Sequence, residues 1–384
     1  MESKDILLIT RAIYPLHGFG GMERHCHDFA KAMSGRNWRV HVVTMPPDDQ
    51  SRFSEFNSSV FFYFVDGIPA RSVFQRITSY PEWVERVSDF VKNLCARVPF
   101  AVVYGHGLAA GAAPNEMPPL VYNPHGMEEF KTSGLKYLAY SRFRSLSRQT
   151  ARRAKAIIAT DASLVGEAKS LLEADEARIV MIPNAVFLVS GHTATKLRSD
   201  WELADSDPVV LAVGRLEFNK GYDLLLDALT RIKLPDRFKL VIAGTGSQEA
   251  DLRSRAGTSG LAKRVLFTGI ISEPDLASLY AASDLFIHPT RYEGSSIVTL
   301  EAMSHGLPVI ATKTGGLPDK VLPGTNGWLA EPGDAQSLAR TIEEAVNGRS
   351  RWQSMGAESL RIVRERFSWD VVAPQFENLF SRLY

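Results

Sequence analysis

Two carboxylates, Glu293 and Glu301, stand eight residues apart in the stretch H-P-T-R-Y-E-G-S-S-I-V-T-L-E-A-M-S-H-G-L-P-V-I-A-T-K-T-G-G-L-P-D, from His288 to Asp319. An apolar run from Asp284 to His288 feeds a Gly/Ser turn, then a helical segment, then Gly306 and a strand from Pro308 to Thr312. That order puts both acids where strand ends meet a helix start, the crevice in which open α/β sheets bind ligands. Carboxylates accept hydrogen bonds from sugar hydroxyls, so the segment suits a ribose and a hexose. The plainer reading makes Glu301 an acid on a helix surface and Glu293 a loop acid. Upstream, A-V-G-R-L-E-F-N-K-G sets Arg215 and Lys220 on a turn between a strand ending at Val213 and a helix after Gly221. Two fixed cations beside a helix N-terminus are what a leaving diphosphate needs. Solvated surface charge is the alternative for either.

The first half holds a second set. G-F-G-G-M-E-R-H, from Gly18 to His25, follows the first strand, with Glu23 where a dinucleotide fingerprint needs its third glycine. It is a poor NAD site and a better flexible loop against a substrate. A-G-T-G-S, Ala243 to Ser247, is another strand–glycine–helix turn of little specificity alone. His125, in N-P-H-G, ends a strand beside Gly126 and is a candidate cleft residue; a structural turn histidine is the alternative. His106, in G-H-G, repeats that position one strand earlier. Asp205-Ser206-Asp207 spells an acidic metal-binding triplet, but it precedes Pro208 in a polar stretch and reads as solvated. His25-Cys26-His27 are adjacent on a helix, so their side chains diverge and make no zinc site. There is no Walker lysine loop and no serine nucleophile elbow.

These residues need strands and helices to hold them. Short apolar runs alternate with helical patterns, the signature of parallel α/β architecture. Strands are expected at Ile6–Thr10, Val40–Thr44, Val60–Val65, Ala101–Tyr104, Leu120–Tyr122, Ala156–Ala159 and Ile179–Ile182. The pattern restarts at Val209–Val213, Leu240–Ala243, Val265–Thr268, Leu285–His288 and Val309–Ala311. A polar stretch between the two series is the expected linker. This predicts a Rossmann-like domain over 1–190, a linker over 191–207, a second Rossmann-like domain over 208–366, and a helix over 367–384 with Ser368 as its cap. A length of 384 residues agrees with two domains, since single cores stop growing near roughly 250–300 residues. The formal charge of +1 gives no field to attract nucleic acid, and two cysteines fit a reducing compartment. Met1-Glu-Ser-Lys-Asp enters a strand pattern directly, which predicts no secretory leader, and no apolar run approaches a membrane span.

Together the segments resemble the retaining glycosyltransferases of family four, with the GT-B fold of two Rossmann-like domains facing across a cleft and a C-terminal helix crossing back to the first domain. The resemblance runs from G-G-M-E-R-H to F-S-W-D and is most specific in E-G-S-S-I-V-T-L-E-A-M, supported by G-R-L-E-F-N-K-G, I-P-N-A-V and G-G-L-P-D. It implies a nucleotide-diphosphate sugar as donor, with Glu301 on the ribose, Arg215 and Lys220 on the diphosphate, and Glu293 on the transferred sugar. His125 would line the reaction centre, and Gly20 and Gly21 would approach the phosphates and acceptor. Gly294, Ser295, Ser296 and Ile297 complete the implied donor-binding set. Asp319, Ala185 and the Ser295-Ser296 pair depart from the family's usual Glu, Gly and bulkier or Gly residues, which leaves the identity of the sugar open. The implied reaction retains anomeric configuration by same-face attack, the leaving phosphate taking the acceptor's proton, with no metal and no cofactor. Competing readings are a nucleotide-sugar epimerase, a phosphorylase, a nucleotide-sugar binding protein without turnover and an NAD oxidoreductase.

Between Phe130 and Lys155 lie eight basic residues and no acidic one. A single helical projection puts Leu135, Leu138, Ala139, Phe143, Leu146 and Thr150 on the packed face. Arg144, Arg148, Arg152 and Lys155 fall opposite, with Tyr137 and Tyr140 beside them. Such a face suits an anionic lipid surface at 136–155, or is simply solvated. With it, the expectation is a cytoplasmic enzyme docked on the inner leaflet, acting on a glycan, lipid-linked or small-molecule acceptor in envelope or glycoconjugate synthesis.

Overall fold

A computed structural model describes residues 4–47, 53, 55–67, 73–115, 118–189, 198, 204 and 207–383. The chain forms two compact units, Met1–Ala185 with Trp369–Tyr384, and Val186–Ser368. Most of the polar stretch expected as the linker lies outside the described residues.

The first unit contains β1 (Lys4–Ile9), β2 (Trp38–Thr44), β3 (Val60–Phe64), β4 (Val102–His106), β5 (Leu120–Asn123), β6 (Ala156–Ala159) and β7 (Ile179–Met181). They form one parallel sheet in the order β3-β2-β1-β4-β5-β6-β7. Its central strands are continuous apolar runs because helices cover both faces, so Ile6, Leu7, Leu8 and Ile9 are all fully buried. The C-terminal helix (Trp369–Ser381) packs on the helix Gly21–Ser34, with Phe376 and Phe380 against Phe29 and Tyr104. The Ser368 hydroxyl donates to the Arg364 carbonyl at 3.0 Å.

The second unit contains β8 (Val209–Val213), β9 (Lys239–Ala243), β10 (Val265–Gly269), β11 (Leu285–His288), β12 (Val309–Thr312) and β13 (Gly327–Ala330). They pair in parallel in the order β10-β9-β8-β11-β12-β13. The edge strand β13 has no counterpart in the sequence expectations. It is four residues long and begins at Gly327, where a Cβ would stand 2.0 Å from the Val309 carbonyl oxygen. Each sheet has one point where strand order reverses, between β1 and β4 and between β8 and β11. Ligands of such folds bind outside the strand ends at that point.

Candidate active site

In the second unit the reversal point carries ionised groups. The turn after β8 holds Arg215 and Lys220, and the turn after β11 holds Glu293. Lys220 Nζ donates to Glu293 Oε2 at 2.5 Å, and His288 Nε2 lies 2.8 Å from the same oxygen. Burial opposes ionisation of Glu293, yet Lys220 and His288 together hold its carboxyl far below the usual range. Burial likewise pushes the His288 imidazole down against the pull of Glu293, so it is neutral and donates from Nε2 to the carboxylate. Arg215 is exposed, and its charge reaches the neighbouring Glu217, whose carboxyl is depressed mainly by hydrogen bonds from Ser247. The two cations thus differ: Lys220 is committed to a carboxylate and Arg215 faces solvent.

Close backbone approaches fix these turns. Gly221 has φ +69°, and a Cβ there would lie 2.1 Å from the Pro289 carbonyl oxygen, which seats the lysine turn on the end of β11. Gly315 has φ +52° and would clash with the carbonyls of Glu293 and Gly294 at 2.2 and 2.5 Å, while Gly316 N donates to Gly294 O at 2.9 Å. The Gly-Gly turn of G-G-L-P-D is thereby locked to the Glu293 loop. Arg291, paired with Asp223 at 2.7 Å, ties the same loop to the helix Tyr222–Thr230. Ser296 caps the helix Ile297–Ser304, accepting from Thr299 N at 3.3 Å. Glu301 lies on that helix and accepts from Tyr280 Oη at 3.1 Å.

Three participants escaped sequence reasoning. His288 was read only as a strand end, though its place five residues before Glu293 was visible. Tyr280 had no motif. Lys320 is 1% exposed and donates to Ser295 Oγ at 2.8 Å and to the Gly316 carbonyl at 3.3 Å. Its charge supports the loop bearing Gly294 and Ser295 from below.

The reversal point of the first unit is built from neutral rings. His106 ends β4, and His125 follows β5 with φ +54°. His106 Nδ1 and His125 Nε2 are 2.6 Å apart. Asn123 Oδ1 accepts the His125 backbone N–H at 3.2 Å and steadies the left-handed turn, while its Nδ2 donates to Tyr104 Oη at 3.0 Å. Tyr104 Oη in turn lies 3.0 Å from His25 Nε2. Burial lowers all three imidazoles, His25 to about 4 and His106 and His125 well below the ordinary value. Gly20 and Gly21 begin the helix Gly21–Ser34; Gly21 is open, but the Glu23 carboxylate lies over Gly20, 2.0 Å from where a Cβ would be. Glu23 also pairs with Arg11 at 3.3 Å, so an anion already occupies the place where a dinucleotide fingerprint binds phosphate. Among the described residues no group of three His, Cys, Asp or Glu is arranged to hold a metal ion. Asp205 and Ser206 lie outside those residues; Asp207 is buried, accepting from Ala204 N and paired with Arg237.

The basic segment departs from its single-helix projection. It breaks at Tyr140 into Gly134–Ala139 and Ser141–Arg153. Leu135 and Leu138 are 85% and 67% exposed, whereas Arg144 is buried, stacked on Tyr137 at 3.6 Å and donating to the carbonyls of Glu129 and Tyr137. Arg148 and Arg152 both pair with Glu173. The expected cationic face is therefore largely consumed internally. No helix of the described residues is long and apolar enough to cross a membrane.

Sequence comparison places this geometry among known proteins. The sequence model "Glycosyl transferases group 1" matches residues 193–360, and "Glycosyltransferase Family 4" matches residues 19–188. Mannosylfructose-phosphate synthase of Agrobacterium fabrum is 25% identical over 93% of this chain and 85% of its own length. GDP-mannose-dependent monoacylated alpha-(1-6)-phosphatidylinositol monomannoside mannosyltransferase of Corynebacterium glutamicum is 33% identical over 46% of this chain and 48% of its own. In fold, the chain is similar to sucrose-phosphate synthase of Thermosynechococcus elongatus, with a TM-score of 0.84, 21% identity and 99% of both chains covered.

Proposed function

The chain belongs to the group 1 glycosyltransferases of family 4 and has the GT-B fold, and on that premise we propose that it transfers a hexose from a nucleotide-diphosphate sugar to a hydroxyl acceptor with retention of configuration. The observation that carries this reading is the Lys220–Glu293–His288 cluster at the strand-reversal point of the second unit. A donor entering there meets an ionised carboxylate able to bind sugar hydroxyls and two cations able to meet a diphosphate. As the C1–O bond breaks, negative charge collects on the leaving phosphate. Arg215 is the free cation for that charge, and Lys220 joins it by sharing its ammonium between Glu293 and a phosphate oxygen. Glu301, across the helix from the capped N-terminus, is assigned to the ribose. The leaving phosphate takes the acceptor's proton, so no metal or added base has a place in the scheme.

The acceptor has two readings. A sugar phosphate or other small molecule is favoured by mannosylfructose-phosphate synthase, which matches nearly end to end. A lipid-linked or envelope acceptor is favoured by the exposed Leu135 and Leu138, which suit a peripheral site on the cytoplasmic leaflet. The test is nucleoside-diphosphate release from UDP-, GDP- and ADP-hexoses, with excess EDTA present and product anomers read by NMR. Turnover of one donor with α-to-α retention is expected. No release from any donor would overturn the reading, as would inversion, or an EDTA loss that Mn²⁺ restores.

A further inference from the structure

We propose that His106 is a positioning residue that fixes His125 as a neutral imidazole with its proton on Nδ1, so that His125 meets the reacting molecules as a hydrogen-bond donor and not as a base. This rests on the glycosyltransferase reading for its consequence, though not for its structure.

The proton assignments follow from one backbone group. The His125 backbone N–H can only donate, so the Asn123 side-chain atom facing it at 3.2 Å is the oxygen. The Asn123 amide nitrogen must then face Tyr104 Oη, which accepts from it at 3.0 Å. With that lone pair used, the Tyr104 hydroxyl directs its own proton to His25 Nε2, 3.0 Å away. His25 therefore carries its proton on Nδ1, and the Asn184 side chain is a hydrogen-bonding neighbour of the ring.

The other arm has one bond and two arrangements. His106 Nδ1 and His125 Nε2 are 2.6 Å apart, and a single proton lies between them. If His125 supplied it, the proton of neutral His106 would sit on Nε2, which is buried with no partner among the described residues. If His106 supplies it, only a lone pair is left unused there. Orphaned buried N–H groups are rarer than underused acceptors, so His106 donates. Burial disfavours a second proton on either ring. Rings of Tyr104, at 4.3 Å between centroids, and His25, at 5.5 Å, hold His106 in place. His125 Nε2 is consumed by this bond, which leaves Nδ1 as its one nitrogen for a ligand, and that nitrogen bears hydrogen. A donor there can meet a sugar oxygen or a developing negative charge; it cannot take the acceptor's proton.

The full-length chain labelled with ¹⁵N-histidine tests this without substrate. Long-range proton–nitrogen correlation at pH 7 should show His125 with a protonated Nδ1 and an unprotonated Nε2. The reverse tautomer, or a doubly protonated ring, would overturn the proposal. In turnover, His106→Leu should lower kcat roughly 10- to 100-fold while leaving the KM for donor within about threefold. His106→Asn, whose amide nitrogen stands near the lost Nδ1, should recover most of the rate. Asparagine as poor as leucine at equal thermal stability would sink the positioning role. A parent chain that transfers no sugar would refute the functional reading alone, since the tautomer remains measurable.

Discussion

The two reversal points share a topology and differ in currency. In the second unit, Glu293 stays ionised although burial opposes it, because Lys220 and His288 both touch one carboxylate oxygen. In the first, three imidazoles stay neutral because burial prevails: it outweighs the pull of Asp28 on His25, and His106 and His125 face other rings and no carboxylate. The same strand order therefore supplies a charged receptor in one unit and a neutral, proton-ordered one in the other. The difference teaches that the fold chooses only where a site lies. Whether that site carries charge depends on whether a counter-ion is built in beside it.

The largest effect should come from breaking the charged side. Glu293→Gln keeps an acceptor for Lys220 but removes the charge. It should lower kcat roughly 100- to 1000-fold, about 3–4 kcal/mol of transition-state stabilisation, with the fold intact by circular dichroism. Lys220→Ala should match it in rate but also lower Tm, since it leaves the Glu293 carboxylate buried beside a neutral histidine. Transfer within threefold of the parent in either variant would end the contrast. So would a larger loss from His125→Phe than from Glu293→Gln, because the neutral side would then dominate.

Acid should separate the units next. His25 has a folded value of about 4 against an ordinary 6.5, so between those values the unfolded chain binds a proton that the folded chain refuses. Stability is unaffected by this group above pH 6.5, falls as pH drops from 6.5 to 4, and levels off below. The loss is on the order of 3 kcal/mol at 1.36 kcal/mol per pKa unit. Glu293, depressed from 4.5, costs stability only below pH 4.5. His106 and His125 in the first unit and His288 in the second are lowered too and add to the same fall, so Tm measured from pH 7.5 to 4.5 should decline and His25→Phe should make the slope shallower. A parent whose Tm is level from pH 7 to 5 would contradict the neutral-cluster account.

What was legible in the sequence depended on range. Strands buried on both faces announce themselves as apolar runs, and the turn residues Arg215, Lys220 and Glu293 could be placed from the strands before them. Lys320 could not. In L-P-D-K-V it reads as a surface lysine, and its burial depends on Ser295 and Gly316, which fold over it. The His106–His125 contact needed the β4–β5 register, which sets His106 opposite Asn123 and brings the residue two further on within reach. The basic segment misled because a helical projection assumes one helix. The break at Tyr140 rotated Leu135 and Leu138 outward and Arg144 inward.

Backbone tolerance gives a smaller, cleaner contrast. Gly315→Ala forces a side chain into the left-handed region and against the Glu293 carbonyl, so it should lower Tm by several degrees, for about 1–3 kcal/mol, and weaken donor binding. Gly126→Ala, beside His125, meets nothing within 4 Å and should be nearly silent in Tm. Hydrogen exchange that finds both variants equally perturbed would show that the two loops are held alike.

The smallest expected effect is at the surface, and it tests the lipid-linked acceptor. Arg144 is buried and Arg148 and Arg152 share Glu173, so their replacement by Glu would chiefly damage internal bonds. Leu135 and Leu138 are the groups that gain from leaving water, with Lys136 and Arg142 exposed beside them. Insertion of both leucines contributes at most roughly 1.5–3 kcal/mol each, and each nearby cation about 1 kcal/mol on an anionic surface. That total supports reversible association. Co-sedimentation with anionic liposomes at low salt should therefore be weak in the parent, lost in Leu135→Ser/Leu138→Ser, and retained in Arg148→Gln/Arg152→Gln. Binding that survives loss of the leucines but not of the arginines would return the contact to the helix Ser141–Arg153. No binding by the parent would favour the small soluble acceptor.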